Sequence, residues 1–151
     1  MSLSHIAGRT VDVSVLQTPS LRGDTRLSMS LGPDVGGQEI TGIQKVVQQF
    51  ASLFLTERGS SFFDSSRGTD FTGLLTSGRL YSDAEVSMHF QMSASDIVDY
   101  MRKSATADTP ADEQITEAVL SWFTLAPPSL VLGIKINTAA GTSRPIILPI
   151  G

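Results

Sequence analysis

The chain has no cysteine, only two histidines and few charged side chains for its 151 residues. Without cysteine it can form no disulfide, no thiolate nucleophile and no cysteine-ligated zinc site. Charged residues make up 17 % of the sequence, against about a quarter in an average soluble domain. Serine, threonine and glycine take their place, with 20, 14 and 13 copies. The net charge is −4 and no basic run is longer than Arg102-Lys103, so we expect a weakly ionised surface and no nucleic-acid partner.

Long apolar runs and the common catalytic motifs are also missing. The longest nearly uncharged apolar stretch, residues 122–134, is interrupted by Pro127-Pro128 and is too short to cross a bilayer, so we expect a soluble chain without a membrane partner. His5 and His89 lack the spacing of a two-histidine metal site, and no phosphate-binding glycine motif is present. We therefore expect no cofactor and no metal.

The first 36 residues carry the two-residue period of strands. Apolar and polar side chains alternate in residues 10–18 and again in residues 26–32, and a loop-forming segment separates the two runs. Glycines and a proline then interrupt the pattern. We predict an N-terminal β-hairpin extension over residues 1–36 and a main domain over residues 37–151.

Two amphipathic helices are predicted in the main domain. The first has one continuous apolar stripe and should end near Arg58-Gly59, where glycine can take the left-handed cap conformation. Its stripe consists of Ile40, Ile43, Val46, Val47, Phe50, Leu53 and Phe54. The second helix should begin after Ser82, because Ser82 and Glu85 have the spacing of a capping box, and should run to about Ser104.

The segments that flank the second helix are predicted to be mostly irregular. Residues 60–78 are rich in glycine and hydroxyl side chains and form an ordered connector, pinned by the aromatic pair Phe62-Phe63 and holding at most one short helix at residues 71–76. After the second helix, Thr109-Pro110 has the chemistry of a helix start, which predicts a short third helix ending near Thr116.

The last third of the chain returns to the two-residue period. Apolar and polar side chains alternate around Trp122, over residues 130–137 and over residues 145–150, with a turn at residues 139–142. The predicted fold class is therefore α+β: an N-terminal β-hairpin, two main amphipathic helices with an ordered glycine-rich connector, and C-terminal antiparallel strands.

Three carboxylates, Glu57, Asp64 and Asp70, fall within 14 residues. A glycosidase needs only two carboxylates, with the carboxyl groups about 5 to 9.5 Å apart. Aspartates at loop starts also form turns by bonding to their own backbone. We favour this structural interpretation for Asp64 and Asp70.

The segment from Leu53 to Phe71, LFLTERGSSFFDSSRGTDF, follows the first predicted helix. It resembles the connector of the T4 gene 25-like (W-like) baseplate wedge proteins of contractile phage tails. In that family a helix ends in a leucine, Thr-Glu-x-Gly, an aromatic residue, an aspartate and a later glycine. The order of the following elements is also similar, so that the resemblance covers residues 40–151. The family usually carries an acidic-Pro-Arg triplet where this chain has Thr109-Pro110-Ala111, and only Pro110 is carried over.

The resemblance implies a structural component of the tail baseplate wedge, without catalytic activity, located in the virion and assembled in the host cytoplasm. It implies larger wedge proteins and the sheath protein as partners, with tail tube or hub proteins as further ones. Helices would bundle with a larger wedge protein, and strands would initiate sheath assembly. The hypothetical partner-binding residues are Ile43, Val47, Phe50, Phe54, Glu57, Arg58, Pro110, Ile146, Leu148 and Ile150. Packing within the chain's own core explains the helix residues at least as well.

Two other functions stay open at the level of sequence. The wedge family has also been described as lysozyme-like, which implies a peptidoglycan glycosidase that uses Glu57 with Asp64 or Asp70. A generic oligomeric adaptor unrelated to tails is the third hypothesis. The predicted N-terminal hairpin is longer than a minimal family member needs, and we expect it to add to a neighbour's sheet.

Overall fold

The computed structural model describes Asp12–Val13 and residues 39–151, and every structural statement below concerns these residues. A 3-10 turn at Ala111–Glu113 lies between the last helix and the first strand of the C-terminal sheet. The elements in chain order are β1 (Asp12–Val13), β2 (Glu39–Ile40), α1 (Ile43–Leu55), α2 (Phe71–Thr76), α3 (Asp83–Ser104), β3 (Ile115–Ala126), β4 (Ser129–Thr138) and β5 (Ser143–Ile150). Helices with a three-stranded antiparallel sheet confirm the predicted α+β class.

The N-terminal hairpin predicted over residues 1–36 lies outside the described residues except for β1. Here β1 pairs antiparallel with β2, with Asp12 opposite Ile40. Ile40 was expected to be the first apolar residue of the first helix, and this is wrong because it belongs to β2. The helix begins only after Gly42. Its φ of 63° and ψ of −145° are not helical, and they lie in a region that glycine can adopt.

The first helix also ends earlier than the predicted Arg58-Gly59. Thr56 is already extended, with φ −80° and ψ 128°, although its N–H still bonds to the carbonyl of Ser52 at 3.1 Å. The chain leaves the helix here because Glu57 forms a parallel bridge with Thr69. A contact with a residue further along the chain therefore ends α1, and no glycine cap is involved.

The prediction for α3 is confirmed at both ends. The Ser82 hydroxyl accepts the N–H of Glu85 at 3.3 Å, and the Glu85 carboxylate accepts the N–H of Ser82 at 3.0 Å. The helix runs to Ser104. The short helix predicted within residues 71–76 is confirmed as α2.

The short third helix predicted after Thr109-Pro110 is present as the 3-10 helix Ala111–Glu113, but it ends before the predicted Thr116, which already belongs to β3. The carbonyl of Ala111 accepts the N–H of Ala140 at 3.1 Å, and the carbonyl of Gln114 accepts the N–H of Ala139 at 2.9 Å. The turn between β4 and β5 therefore takes the acceptors that a longer helix would have used.

The C-terminal strands form a meander in the order β3-β4-β5, as the sequence predicts. Leu120 lies opposite Ile134, which lies opposite Ile146. The inner face of the sheet is covered by helices, with α3 against β3 and α1 against β5. The largest fully buried side chains are Phe50, Phe54, Phe71, Leu130, Leu132, Ile134, Ile136, Leu148, Val46, Val86 and Thr69.

Candidate functional site

The segment that carries the family resemblance folds into the α1–α2 loop, residues 56–70. Its two ends run side by side, because the Thr69 N–H donates to the carbonyl of Thr56 at 2.8 Å and the Arg58 N–H donates to the carbonyl of Thr69 at 3.0 Å. The Thr69 side chain is fully buried, and its hydroxyl donates to the carbonyl of Phe54 at 2.9 Å. Thr69 thus closes the loop onto the end of α1.

Gly68 is the glycine that this closure requires. Its φ is +96°, in the region that residues other than glycine rarely adopt. A Cβ at this position would also collide with the carbonyl group of Thr56. Gly59 has a similar φ of +79°, but a Cβ there would meet no atom within 4 Å. Of these two glycines, Gly68 alone is required by both the backbone conformation and the close approach of another segment.

Polar contacts attach the α1–α2 loop to α3. The Arg58 guanidinium donates to Asp96 at 2.6 Å and lies 3.7 Å from the carboxylate of Asp70. The hydrogen bond to Asp96 is the main cause that raises the pKa of Arg58. All three side chains are partly exposed, so these contacts define the position of the loop more than they stabilise the fold.

A second attachment runs from Asp64 to α3. Its carboxylate accepts the Ser66 hydroxyl at 2.6 Å and the Tyr100 hydroxyl at 2.9 Å. The hydrogen bond from Ser66, followed by that from Tyr100, lowers the pKa of Asp64. The same contact with Asp64 raises the pKa of Tyr100. Asp64 is therefore held as a carboxylate by its donors.

Phe62 and Phe63 do not pin the connector, and this expectation is wrong. Their side chains are 96 % and 95 % exposed, and their rings contact each other edge to face with centroids 5.4 Å apart. The loop is held to α3 by the polar contacts of Arg58 and Asp64 and not by these aromatic rings. Two adjacent, exposed phenylalanines form an apolar projection on the surface.

The structure separates the hypothetical partner-binding residues into buried and accessible groups. The side chains of Val47, Phe50, Phe54, Leu148 and Ile150 lie in the core of this chain. Those of Ile43, Pro110 and Ile146 are half-buried, and Glu57 and Arg58 are exposed on the α1–α2 loop. The five buried side chains pack α1 and β5 into the core of this chain. Among the described residues, β5 is therefore accessible to a partner through its backbone edge and its outer face.

The carboxylates required by the glycosidase hypothesis do not lie in the large groove of the molecule. This groove, of about 970 Å³, is lined by α1, the end of α3 and the segment that leads into β3, and Glu57, Asp64 and Asp70 are not among its lining residues. A glycosidase acid needs a raised pKa, whereas the pKa of Asp64 is lowered.

No role for Glu113 was predicted from the sequence. One carboxylate oxygen accepts the N–H of Gly42 at 3.1 Å, and the other accepts Lys45 Nζ at 3.0 Å. Glu113 therefore binds the otherwise open N-terminus of α1. It is separated from Gly42 by 71 residues, so no local pattern could have revealed this contact.

The outer face of the sheet was also missed. Trp122 is 47 % exposed and its indole lies directly over Gly133, where a Cβ would collide with the ring. Val119 on the same strand is 39 % exposed. The face therefore presents an apolar surface around an exposed tryptophan, opposite the face that the helices cover.

Within residues 12–13 and 39–151, no cluster of three or more histidine, aspartate or glutamate side chains could hold a metal ion. None of the helices in this part of the chain combines the length and the apolar character that a bilayer crossing requires.

The sequence matches none of the protein-family models with which it was compared, and no curated protein is significantly similar to it.

Proposed function

We propose that the chain is a structural subunit of the baseplate wedge of a contractile phage tail. The observation that carries the proposal is the α1–α2 loop, whose sequence resembles that of the wedge family. Three residues of the resembling pattern, Thr56, Asp64 and Gly68, make the contacts that shape this loop. The resemblance therefore involves residues that have a structural reason to be there.

The surface supports a function through protein contacts. Phe62, Phe63 and Trp122 are large apolar side chains that the described residues leave exposed. Charged residues make up only 17 % of the chain, and the buried cores of protein interfaces are depleted in charge and enriched in aromatic residues. A subunit covered by neighbours in a particle would have these properties.

The proposed partners are larger wedge proteins and the sheath protein, with tail tube or hub proteins as further neighbours, and the proposed location is the tail baseplate of the virion. Because the apolar face of α1 is used within this chain, we assign the contact with the sheath to the three-stranded sheet. We further propose that residues 60–78, which include most of the α1–α2 loop, are the ordered glycine-rich connector of this domain, and that the hairpin expected over residues 1–36 is an extension that adds to a neighbour's sheet.

The test is whether the chain is part of a tail particle. Particles purified by sedimentation from cells that carry the gene should contain the chain at constant stoichiometry to the sheath protein, measured by quantitative mass spectrometry. Gold-labelled antibody should bind at the baseplate end in electron micrographs. Absence of the chain from purified contractile particles would overturn the proposal.

The glycosidase alternative has a separate test. Purified wild type and the variant Glu57→Gln should both leave a peptidoglycan suspension turbid, with hen egg-white lysozyme as the positive control. Clearing by the wild type that Glu57→Gln abolishes would establish the enzymatic function instead.

A further inference from the structure

The outer face of the C-terminal sheet is built from rows of residues that lie side by side across the strands. Residues opposite each other on neighbouring strands project to the same face of a sheet. Leu120, Ile134 and Ile146 form one row, and it packs against the core. The alternate rows therefore project outward, away from the helices. These outer rows are Val119-Lys135-Pro145, Trp122-Gly133-Ile147 and Thr124-Val131-Pro149.

The outer rows are almost entirely apolar. An antiparallel sheet with one face on the core normally turns polar side chains to the other face. Here Thr124 and Lys135 are the only polar side chains in the rows, and the indole of Trp122 covers the backbone of Gly133. A contiguous apolar surface of this kind marks a contact with another molecule.

Lys135 places one positive charge within this apolar face. It is exposed and belongs to the central strand β4, between Val119 on β3 and Pro145 on β5. A lysine on an edge strand prevents pairing with other chains, but that explanation does not apply to a central strand. Among the described residues no carboxylate forms an ion pair with Lys135. The acid on the same face, Glu117, accepts the Asn137 amide at 3.2 Å.

We propose that the outer face of the sheet, around Trp122 and Lys135, binds an apolar surface of a neighbouring tail protein that carries a carboxylate opposite Lys135. Burial of the apolar rows would drive the association. An ammonium group is costly to bury without a counter-charge, so the partner must supply the carboxylate. The inference rests on the proposed function and adds the chemistry of the partner surface. It concerns the side chains of the sheet face and involves no backbone pairing.

Two charge reversals test the inference. Lys135→Glu places a negative charge opposite the partner's carboxylate. Lys103→Glu changes the net charge of the chain by the same amount, but it lies in the last turn of α3, on the helical side of the sheet. Each variant replaces the wild-type gene in the cell that makes the particles, and the fraction of the chain that sediments with the particles is measured.

Lys135→Glu should reduce the particle-bound fraction by about tenfold or more, because two like charges would meet in the contact. Lys103→Glu should sediment like the wild type. Normal sedimentation of Lys135→Glu, or an equal loss with both variants, would overturn the inference while the proposed function stands. Absence of the wild type from the particles would overturn both proposals.

Second-site mutations that restore the particle-bound fraction of Lys135→Glu identify the partner's charge. They should replace an aspartate or glutamate of a neighbouring tail protein by lysine or arginine. Restoration only by mutations that leave the partner's charge unchanged would contradict the carboxylate.

A measurement on the wild type covers the case in which circular dichroism shows that Lys135→Glu is unfolded. Hydroxyl-radical footprinting should oxidise Trp122 more slowly in the particle than in the free chain. Equal oxidation rates in both states contradict the inference.

Two other occupants of the face give different results. Binding of the free chain to phosphatidylglycerol vesicles that Lys135→Glu abolishes would show that the face contacts lipid. A wild-type dimer in analytical ultracentrifugation that Lys135→Glu dissociates would show that a second copy covers the face. Either result overturns the assignment to a neighbouring tail protein.

Discussion

Replacing Thr69 by valine tests whether the α1–α2 loop is held to α1 by one buried hydrogen bond. Thr69 is fully buried, its hydroxyl donates to the carbonyl of Phe54 at 2.9 Å, and it accepts the N–H of Phe71 at 3.4 Å. Valine has the same shape and the same branched Cβ, so the packing is retained. The variant removes the hydroxyl and leaves a buried carbonyl without this donor.

The expected cost follows from the fate of that carbonyl. A hydrogen bond contributes about 0.5–1.5 kcal/mol net, and an unsatisfied buried polar group costs about 1–3 kcal/mol. We therefore expect Thr69→Val to lower the free energy of unfolding by about 1–3 kcal/mol. For a chain of this size, about 1 kcal/mol shifts the unfolding temperature by about 2–4 °C, which makes the expected decrease about 2–12 °C.

Thr72 provides a matched control three residues away. Its hydroxyl oxygen is buried and has no hydrogen-bond partner among the described residues. Thr72→Val makes the same chemical change, but it removes a polar atom that the fold does not satisfy. We expect its free energy of unfolding to equal or exceed that of the wild type.

Urea unfolding followed by circular dichroism measures both variants, with the slope of the transition checked for constancy. The reasoning predicts that Thr69→Val is less stable than the wild type and that Thr72→Val is not. Equal destabilisation by the two variants would show that the loss of any hydroxyl in this region matters, and that the bond to Phe54 has no special role.

Three other predictions concern the same loop. Gly59→Ala should destabilise the fold by about 1–2 kcal/mol, from the left-handed backbone alone. Gly68→Ala should destabilise it by clearly more, because Gly68 also lies against a backbone carbonyl. Thermal unfolding of the two variants makes the comparison, and equal losses of stability would contradict the contact. The hydrogen bond to Asp64 raises the pKa of Tyr100. This tyrosine therefore contributes stability that is present below about pH 10 and is lost as the pH rises through the higher pKa of the folded state. Asp64→Asn should bring the tyrosinate absorbance transition back toward about pH 10, whereas a transition unchanged from that of the wild type would exclude the contact. Phe62→Ala should change the free energy of unfolding by no more than about 0.5 kcal/mol, since the ring is 96 % exposed, and a larger loss measured in urea would show that the ring is packed in solution.

Much of the architecture is readable from local sequence. The capping box at Ser82 and Glu85 places the start of α3, and the alternating apolar residues place β4 and β5. These features depend on residues that lie within a few positions of each other, because the spacing of apolar side chains follows the 3.6-residue period of a helix or the two-residue period of a strand. The same local reasoning extended the third helix too far: the 3-10 helix ends at Glu113, because the turn at Ala139 and Ala140 takes its backbone acceptors.

The candidate binding surfaces depend on contacts between residues that are distant in the sequence. The adjacent Phe62 and Phe63 were expected to pin the connector, and only the fold shows that the described residues leave both rings exposed. Leu148 and Ile150 were hypothetical partner-binding residues, and only the fold shows that their side chains lie in the core. Exposure belongs to the arrangement of the elements, so it cannot be read from one element alone.

Local sequence patterns were enough to predict the elements: a weakly charged α+β chain with a capped long helix, a glycine-rich loop and three C-terminal strands. Contacts between the packed elements decided where α1 begins and ends and which side chains hold the loop. The reason is the sequence separation of the residues in contact. Thr69 binds Phe54, Asp64 binds Tyr100 and Glu113 binds Gly42, over separations of 15, 36 and 71 residues. Such contacts form only when the elements pack together.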